Sequence, residues 1–159
     1  MTVPVFFLDV NVPMYAAGTD HPHRAACVWV MEEIAESRLR SAIDAEIIQE
    51  ILHRFGSIRQ WELGARMAVG LLDLVPTVYP ITVAEARRSV ELFKALGGQG
   101  VTARDTLHVA AMQSNGLTHI ISADRHFDRI DGIVRIGVET LDQTRHDVRH
   151  AQAALGGPA

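Results

Sequence analysis

Five short apolar runs, each closed by polar or turn-forming residues, alternate along the chain with stretches whose apolar positions recur at helical spacing. Pro4–Asp9 reads as a buried strand ending in a carboxylate, and Asp20–Ser37 as a helix with Ala25, Val28, Trp29 and Ala35 on its apolar side. A second strand follows at Leu39–Ile43. Asp44 then has the chemistry of an N-cap for a helix to about Phe55, with Gly56 as its stop. Gln60–Leu74 is a further helix and Thr77–Tyr79 a short strand before Pro80. The spacing Thr82-Val-Ala-Glu85 predicts a capping box that opens a helix to about Leu96. After the loop Gly97-Gly98-Gln99-Gly100, Thr102 caps a helix to Asn115, and strands at His119–Ser122 and Val134–Ile136 complete the series. Such alternation predicts an α/β fold: a central parallel sheet of about five short strands with helices on both faces. The pattern divides the chain into one domain over residues 1–140 and a polar C-terminal segment, 141–159, partly helical and frayed at Gly156-Gly157-Pro158-Ala159.

At 159 residues the chain suits one domain with a real core, since a domain of this size buries roughly 70% of its unfolded surface. Cys27 is the single cysteine, so neither an intramolecular disulfide nor a cysteine-rich zinc site can form. No apolar run is long enough to span a membrane, and the N-terminus lacks a signal-peptide pattern, so a cytoplasmic protein is expected. The net charge of −4 argues against a general nucleic-acid binder. Acidic residues concentrate before His53 and arginines after it, however, so an acidic site flanked by arginines can still hold a polyanion.

Sites in open α/β sheets lie beyond the carboxyl ends of the strands. Asp9 closes the first strand, and Asp124 stands two residues past the strand that ends at Ser122. If those strands are neighbours, both carboxylates reach one crevice. Glu50, among Ile47, Ile48, Ile51 and Leu52, and Asp105, in the first turn of its helix, can join them. Each acid also has a purely structural reading. Asp9 can cap the turn after its strand, Asp124 the turn before Phe127, and Asp105 can answer the helix dipole. Glu50 can pair with Arg54 one turn on, for only about 0.3–0.5 kcal/mol. Spacing alone leaves both readings open.

Four segments in order resemble the motifs of PIN-domain nucleases: Phe6-Phe7-Leu8-Asp9-Val10-Asn11, the helix Asp44–Arg54 with one inward glutamate, Ala103-Arg-Asp105-Thr-Leu-His-Val-Ala-Ala111, and Ile120-Ile-Ser-Ala-Asp124-Arg-His-Phe-Asp128. The resemblance implies a catalytic cluster of Asp9, Glu50, Asp105 and Asp124, with Glu46 as rival for the helical acid. Asn11 and Ser122 would support the cluster by hydrogen bonds. Asp9, Asp105 and Asp124 would hold metal, and Asp128 would be a further ligand or would hold the loop. Many PIN proteins of this size are VapC-type toxins, so the resemblance also implies a metal-dependent endoribonuclease that acts on RNA and is paired with a cognate antitoxin. Beyond about residue 138 nothing carries over.

The electrostatics point the same way. Two carboxylates ~5 Å apart repel by about 3 kcal/mol at an effective dielectric near 20, and no lysine lies near these motifs. All-oxygen ligands favour Mg²⁺ or Mn²⁺ as the neutralising cofactor. Arg54, Arg104 and Arg125 are candidate phosphate contacts or ordinary surface arginines. Zinc catalysis has little support: His21-x-His23 and His146/His150 do not form a known zinc pattern. A receiver domain would need paired acids after the first strand, and an aspartyl phosphatase would need a second Asp where Asn11 stands. The remaining alternative is a catalytically silent PIN fold that binds RNA or protein. The apolar positions of Trp61–Leu74 run around most of that helix, which predicts either core packing or a groove shared with a second subunit, as in a homodimer, or with an antitoxin helix.

Overall fold

The computed structural model describes residues 3–156. Of the stretch Gly156-Gly157-Pro158-Ala159, expected to fray, Gly156 is helical and the other three lie outside the described residues. Strand β1 (Val5–Leu8) leads through α1 (Asn11–Ala17) and α2 (Arg24–Ala35) to β2 (Arg40–Asp44). Helices α3 (Ala45–Ser57) and α4 (Trp61–Leu74) precede β3 (Thr77–Tyr79), and α5 (Val83–Leu96) precedes α6 (Ala103–Ser114). Then come β4 (His119–Ile121), a 3₁₀ turn at Arg125–Arg129, β5 (Val134–Ile136) and α7 (Leu141–Gly156). The five strands are all parallel, in the order β3-β2-β1-β4-β5. None of these helices is long and apolar enough to cross a membrane.

This order makes β1 and β4 neighbours, with Leu8 registered on Ile121. The Asp9 amide continues the pairing by donating to the Ile121 carbonyl at 3.1 Å, so the two strands release their chains side by side. Apart from His119 both strands are apolar, and past their first residues they are buried on both faces, as a covered parallel sheet requires. Phe6, Phe7, Leu8, Ile120 and Ile121 are fully buried.

The helix caps follow the sequence closely. The Asp44 carboxylate accepts from the Ile47 amide, and reciprocal capping boxes join Thr82 to Glu85 and Thr102 to Asp105. Helices α3 and α4 touch at Gly64, where a β-carbon would sit 2.6 Å from the Phe55 β-carbon. The Trp61–Leu74 helix divides its apolar residues. Gly64, Ala68 and Leu71 face inward, while Trp61, Val69 and Leu72 are exposed.

One element was not expected, and it shifts the start of the next. Asn11–Ala17 is helical where a turn was expected, with Pro13 in its first turn, where a missing N–H costs nothing. The second helix therefore starts at Arg24, after the bend through Gly18–Pro22, and not at Asp20. The C-terminal segment is a 16-residue helix whose Thr144, Val148 and Ala151 are buried. It docks on α2. Arg145 and Arg149 lie over the Trp29 ring at 5.7 and 5.5 Å, and Arg149 pairs with Glu33 at 2.5 Å.

Candidate active site

Beyond the carboxyl ends of β1 and β4, a crevice of about 520 Å³ is lined by Glu50, Thr102, Ala103, Arg104, Asp105 and Asp124. Three of the four predicted catalytic acids thus share one space. The fourth, Asp9, does not line the crevice but is joined to Asp124 through Ser122. It is 6% exposed, and both its oxygens are engaged: Val10 N donates to Oδ1 at 2.8 Å, while Ser122 Oγ (2.5 Å) and Asn11 Nδ2 (3.0 Å) donate to Oδ2. Asn11 and Ser122 therefore stand where the sequence puts them, and Ser122 Oγ also accepts from the Asp124 amide at 2.9 Å. Burial raises the Asp9 pKa to about 6. The charge of His108 and the Ser122 hydrogen bond oppose the rise, and Glu50 adds to it.

For Asp105 and Asp124 the structural and functional readings prove compatible. Asp105 Oδ2 accepts from the Thr102 amide in the capping box, and Asp124 Oδ1 accepts from the His126 amide. The second oxygen of each makes no hydrogen bond among the described residues. Asp105, Asp124 and His126 each offer a ligand atom within 4.8 Å of the others. His126, absent from the sequence-derived set, is brought there by the 3₁₀ turn. That turn abuts the Gly97–Gly100 loop, where Arg129 donates to the Gln99 carbonyl. Gly100 is needed at this junction. Its φ is +83°, and a β-carbon would meet an Arg129 nitrogen at 3.2 Å.

Glu50 reaches the crevice through a residue that the sequence reading passed over. His108, 1% exposed on α6, has Nδ1 2.7 Å from Asp44 Oδ2 and Nε2 2.6 Å from Glu50 Oε1. Two carboxylates facing two ring nitrogens require two N–H donors, hence an imidazolium. Burial pulls the His108 pKa down, but its hydrogen bonds to Asp44 and Glu50 and the charges of Asp44 and Asp9 more than reverse this and hold it at about 10. The spacing 105, 108, 112 already placed His108 on the face of α6 that carries Asp105, and this was the available signal.

Two cations of the chain other than lysine lie among the acids. His108 is one such cation. Arg104 is another, 3.5 Å from Glu50 Oε2 and 3.6 Å from Glu46 Oε1. The Glu50–Arg54 pair is not formed: Glu50 is held by His108 and Arg104. Glu46, the rival acid, pairs with Arg104 alone among the described residues and does not line the crevice.

Asp128 does not join the cluster as a ligand. Both its oxygens bind Arg135, at 2.9 and 3.2 Å, because Arg135 also donates to the Ser122 carbonyl and to Glu139 and so pins the loop after β4. Arg125 points away, 77% exposed and 3.8 Å from Glu139. Arg54 lines a separate hollow with Asn11, Tyr15 and His21. The donor set around Asp105, Asp124 and His126 (hard carboxylate oxygens plus one imidazole) suits a small divalent cation.

Comparison with known proteins agrees with this architecture. The chain is 33% identical to ribonuclease VapC13 of Mycobacterium tuberculosis over 132 residues, 83% of this chain and 99% of that one. It is also 33% identical to ribonuclease VapC23 of the same organism over 121 residues, 76% of this chain and 93% of that one. Among solved structures, DNA-bound VapBC from Salmonella typhimurium superposes with a TM-score of 0.65 at 18% identity, covering 85% of this chain and 98% of that one. VapBC2 from Rickettsia felis, bound to a promoter DNA fragment, gives 0.65 at 16% identity, covering 84% and 98%. The sequence model of the PIN domain matches residues 6–133, a span that includes every acid of the crevice, and the chain belongs to the PIN-domain family.

Proposed function

We propose that this chain is an endoribonuclease dependent on Mg²⁺ or Mn²⁺, that it is the toxin of a toxin–antitoxin pair, and that it works in the cytoplasm. The convergence of Glu50, Asp105 and Asp124 on one open crevice carries this reading. The ribonuclease relatives, which the chain covers almost end to end, support it.

Asp105 and Asp124 would hold the cation through the oxygens their caps leave over, with His126 as a nitrogen donor that suits Mn²⁺ as well as Mg²⁺. Asp9 would supply further negative charge. Its raised pKa means that a positive charge in the crevice favours its ionised form. When bound, the cation would supply Lewis-acid polarisation of the scissile phosphodiester and a lowered pKa for a nearby water. Glu50 has Oε1 fixed by His108, which turns Oε2 toward the crevice, where it can accept a proton from the attacking water. Arg104, half-exposed at the rim, sets a guanidinium against the substrate phosphate.

A partner surface accompanies the site. Pro13, Ala16, Met31, Met67, Leu71 and Leu74 line an apolar hollow of about 310 Å³ beside the exposed side of α4. A hollow of this kind suits an amphipathic antitoxin helix. Exposed Val83, Val90 and Phe93 on α5 offer a second apolar surface, suited to a homodimer contact.

Millimolar Mg²⁺ or Mn²⁺ is expected to raise the melting temperature by relieving repulsion among the carboxylates. The Asp105→Asn/Asp124→Asn double variant should melt at the same temperature with and without metal. Equal metal-induced shifts in both proteins would remove the metal from this crevice.

A further inference from the structure

We infer that the hollow beside the acidic crevice, walled by Asn11, Tyr15, Asp20, His21 and Arg54, binds the nucleotide flanking the scissile phosphate of a single-stranded RNA. This inference rests on the ribonuclease reading above. The hollow has a volume of about 300 Å³, room for one nucleotide in part. Asn11 connects the two: it lines the hollow, and its amide nitrogen donates at 3.0 Å to Asp9, which Ser122 joins to Asp124 of the crevice. A strand with its reacting phosphate in the crevice therefore meets this hollow next.

The walls carry the chemistry of single-strand recognition. Tyr15 and His21 are already stacked, with centroids 4.4 Å apart and planes at 28°, and His23 meets the Tyr15 ring edge-on at 5.1 Å. His21 is exposed, so its outer face can extend the stack with a base. The platform is held in place before binding: the His23 amide donates to His21 Nδ1 at 3.1 Å, and Arg24 Nε donates to the Gly18 carbonyl at 3.1 Å. Across the hollow, Arg54 makes no ion pair among the described residues, unlike Arg104 and Arg125. It presents a planar donor fork to a phosphate. Asp20 repels phosphate and accepts from a base N–H or a ribose hydroxyl. The charges thus set the orientation, with base and sugar toward Asp20 and His21 and the backbone toward Arg54. Stacking reads every base alike, so the site gives affinity and register without a strict sequence requirement.

The test is fluorescence anisotropy of a labelled single-stranded oligoribonucleotide in EDTA at low salt, on the full chain, with cleavage of the same RNA in Mg²⁺ measured in parallel. Tyr15→Ala and Arg54→Gln are each expected to weaken binding roughly 10-fold, and Tyr15→Phe to restore it. Arg54→Gln, an exposed substitution, should also lower the slope of log affinity against log salt by about 0.7. Equal affinity and equal salt slope in wild type and both variants would overturn the subsite, whatever the cleavage assay shows. Binding that weakens as expected, with no cleavage by wild type, would uphold the subsite and overturn the nuclease reading alone.

Discussion

His108→Ala is expected to cost about 3–5 kcal/mol of folding stability, the range for removing one partner of a buried, hydrogen-bonded charge pair. The loss follows from what remains. Asp44 is fully buried, Glu50 nearly so, and each would face a void in place of an N–H donor. For a domain of this size the change is a drop in melting temperature of roughly 6–20 °C. The pH dependence has a definite sign. The folded pKa of His108, about 10, lies above its ordinary value of 6.5. Its contribution is therefore complete below pH 6.5 and is lost as the pH rises through 10. Denaturant unfolding of wild type and variant at both pH values should give a wide gap at 6.5 and a narrow one at 10. A gap below 1 kcal/mol, or one that does not change with pH, would make His108 an ordinary core histidine. Because His108 fixes Glu50 Oε1, the variant should also cleave RNA slowly at temperatures where it is still folded.

Asp9→Asn should have opposite effects on stability and activity. The folded carboxylate has a pKa of about 6 against an ordinary 3.8, so the fold disfavours its charge. A group raised in this direction supports the native state fully only below pH 3.8, and that support is gone above pH 6. Asparagine keeps an acceptor for Ser122 and Asn11 without the charge, and its amide nitrogen gives up the bond from the Val10 amide, a smaller loss of about 0.5–1.5 kcal/mol. In EDTA at pH 8 the variant is expected to be more stable than wild type by about 1–3 kcal/mol, and the advantage should vanish near pH 4. Cleavage in Mg²⁺ should fall by about 10²–10³, the usual cost of removing one preorganised electrostatic contact from a reaction centre. A variant that is less stable and fully active would make Asp9 a structural cap alone.

Much of this site was legible in the chain because its parts are local. A carboxylate just past a short apolar run announces a strand-end acid, as at Asp9 and Asp124. The Thr102–Asp105 box announces the start of α6. What the sequence hid depends on distance. His108 sits in a buried helical stretch and reads as a core residue, since its partners are 64 and 58 residues away. The salt bridge that docks α7 spans 116 residues, and the helix has too few apolar positions to betray its buried face. Helix α1 escaped for a different reason: at 7 residues, with Pro13 inside and Gly18 after it, it has the composition of a turn. Asp128 could be read as a ligand or as a residue that holds the loop, and the sequence did not choose between them. It follows a site motif closely, yet Arg135, seven residues on, claims both its oxygens.

The central claim is that Glu50, Asp105 and Asp124 form one metal-dependent ribonuclease centre. Its most direct test is cleavage of mixed cellular RNA by the purified chain in EDTA, in Mg²⁺ and in Mn²⁺, alongside an Asp124→Asn variant shown by its melting curve to be folded. The account predicts endonucleolytic fragments from wild type with either metal, none in EDTA, and at least about 100-fold slower cleavage by the variant. Cleavage that persists in EDTA, or that Asp124→Asn leaves at the wild-type rate, would contradict it.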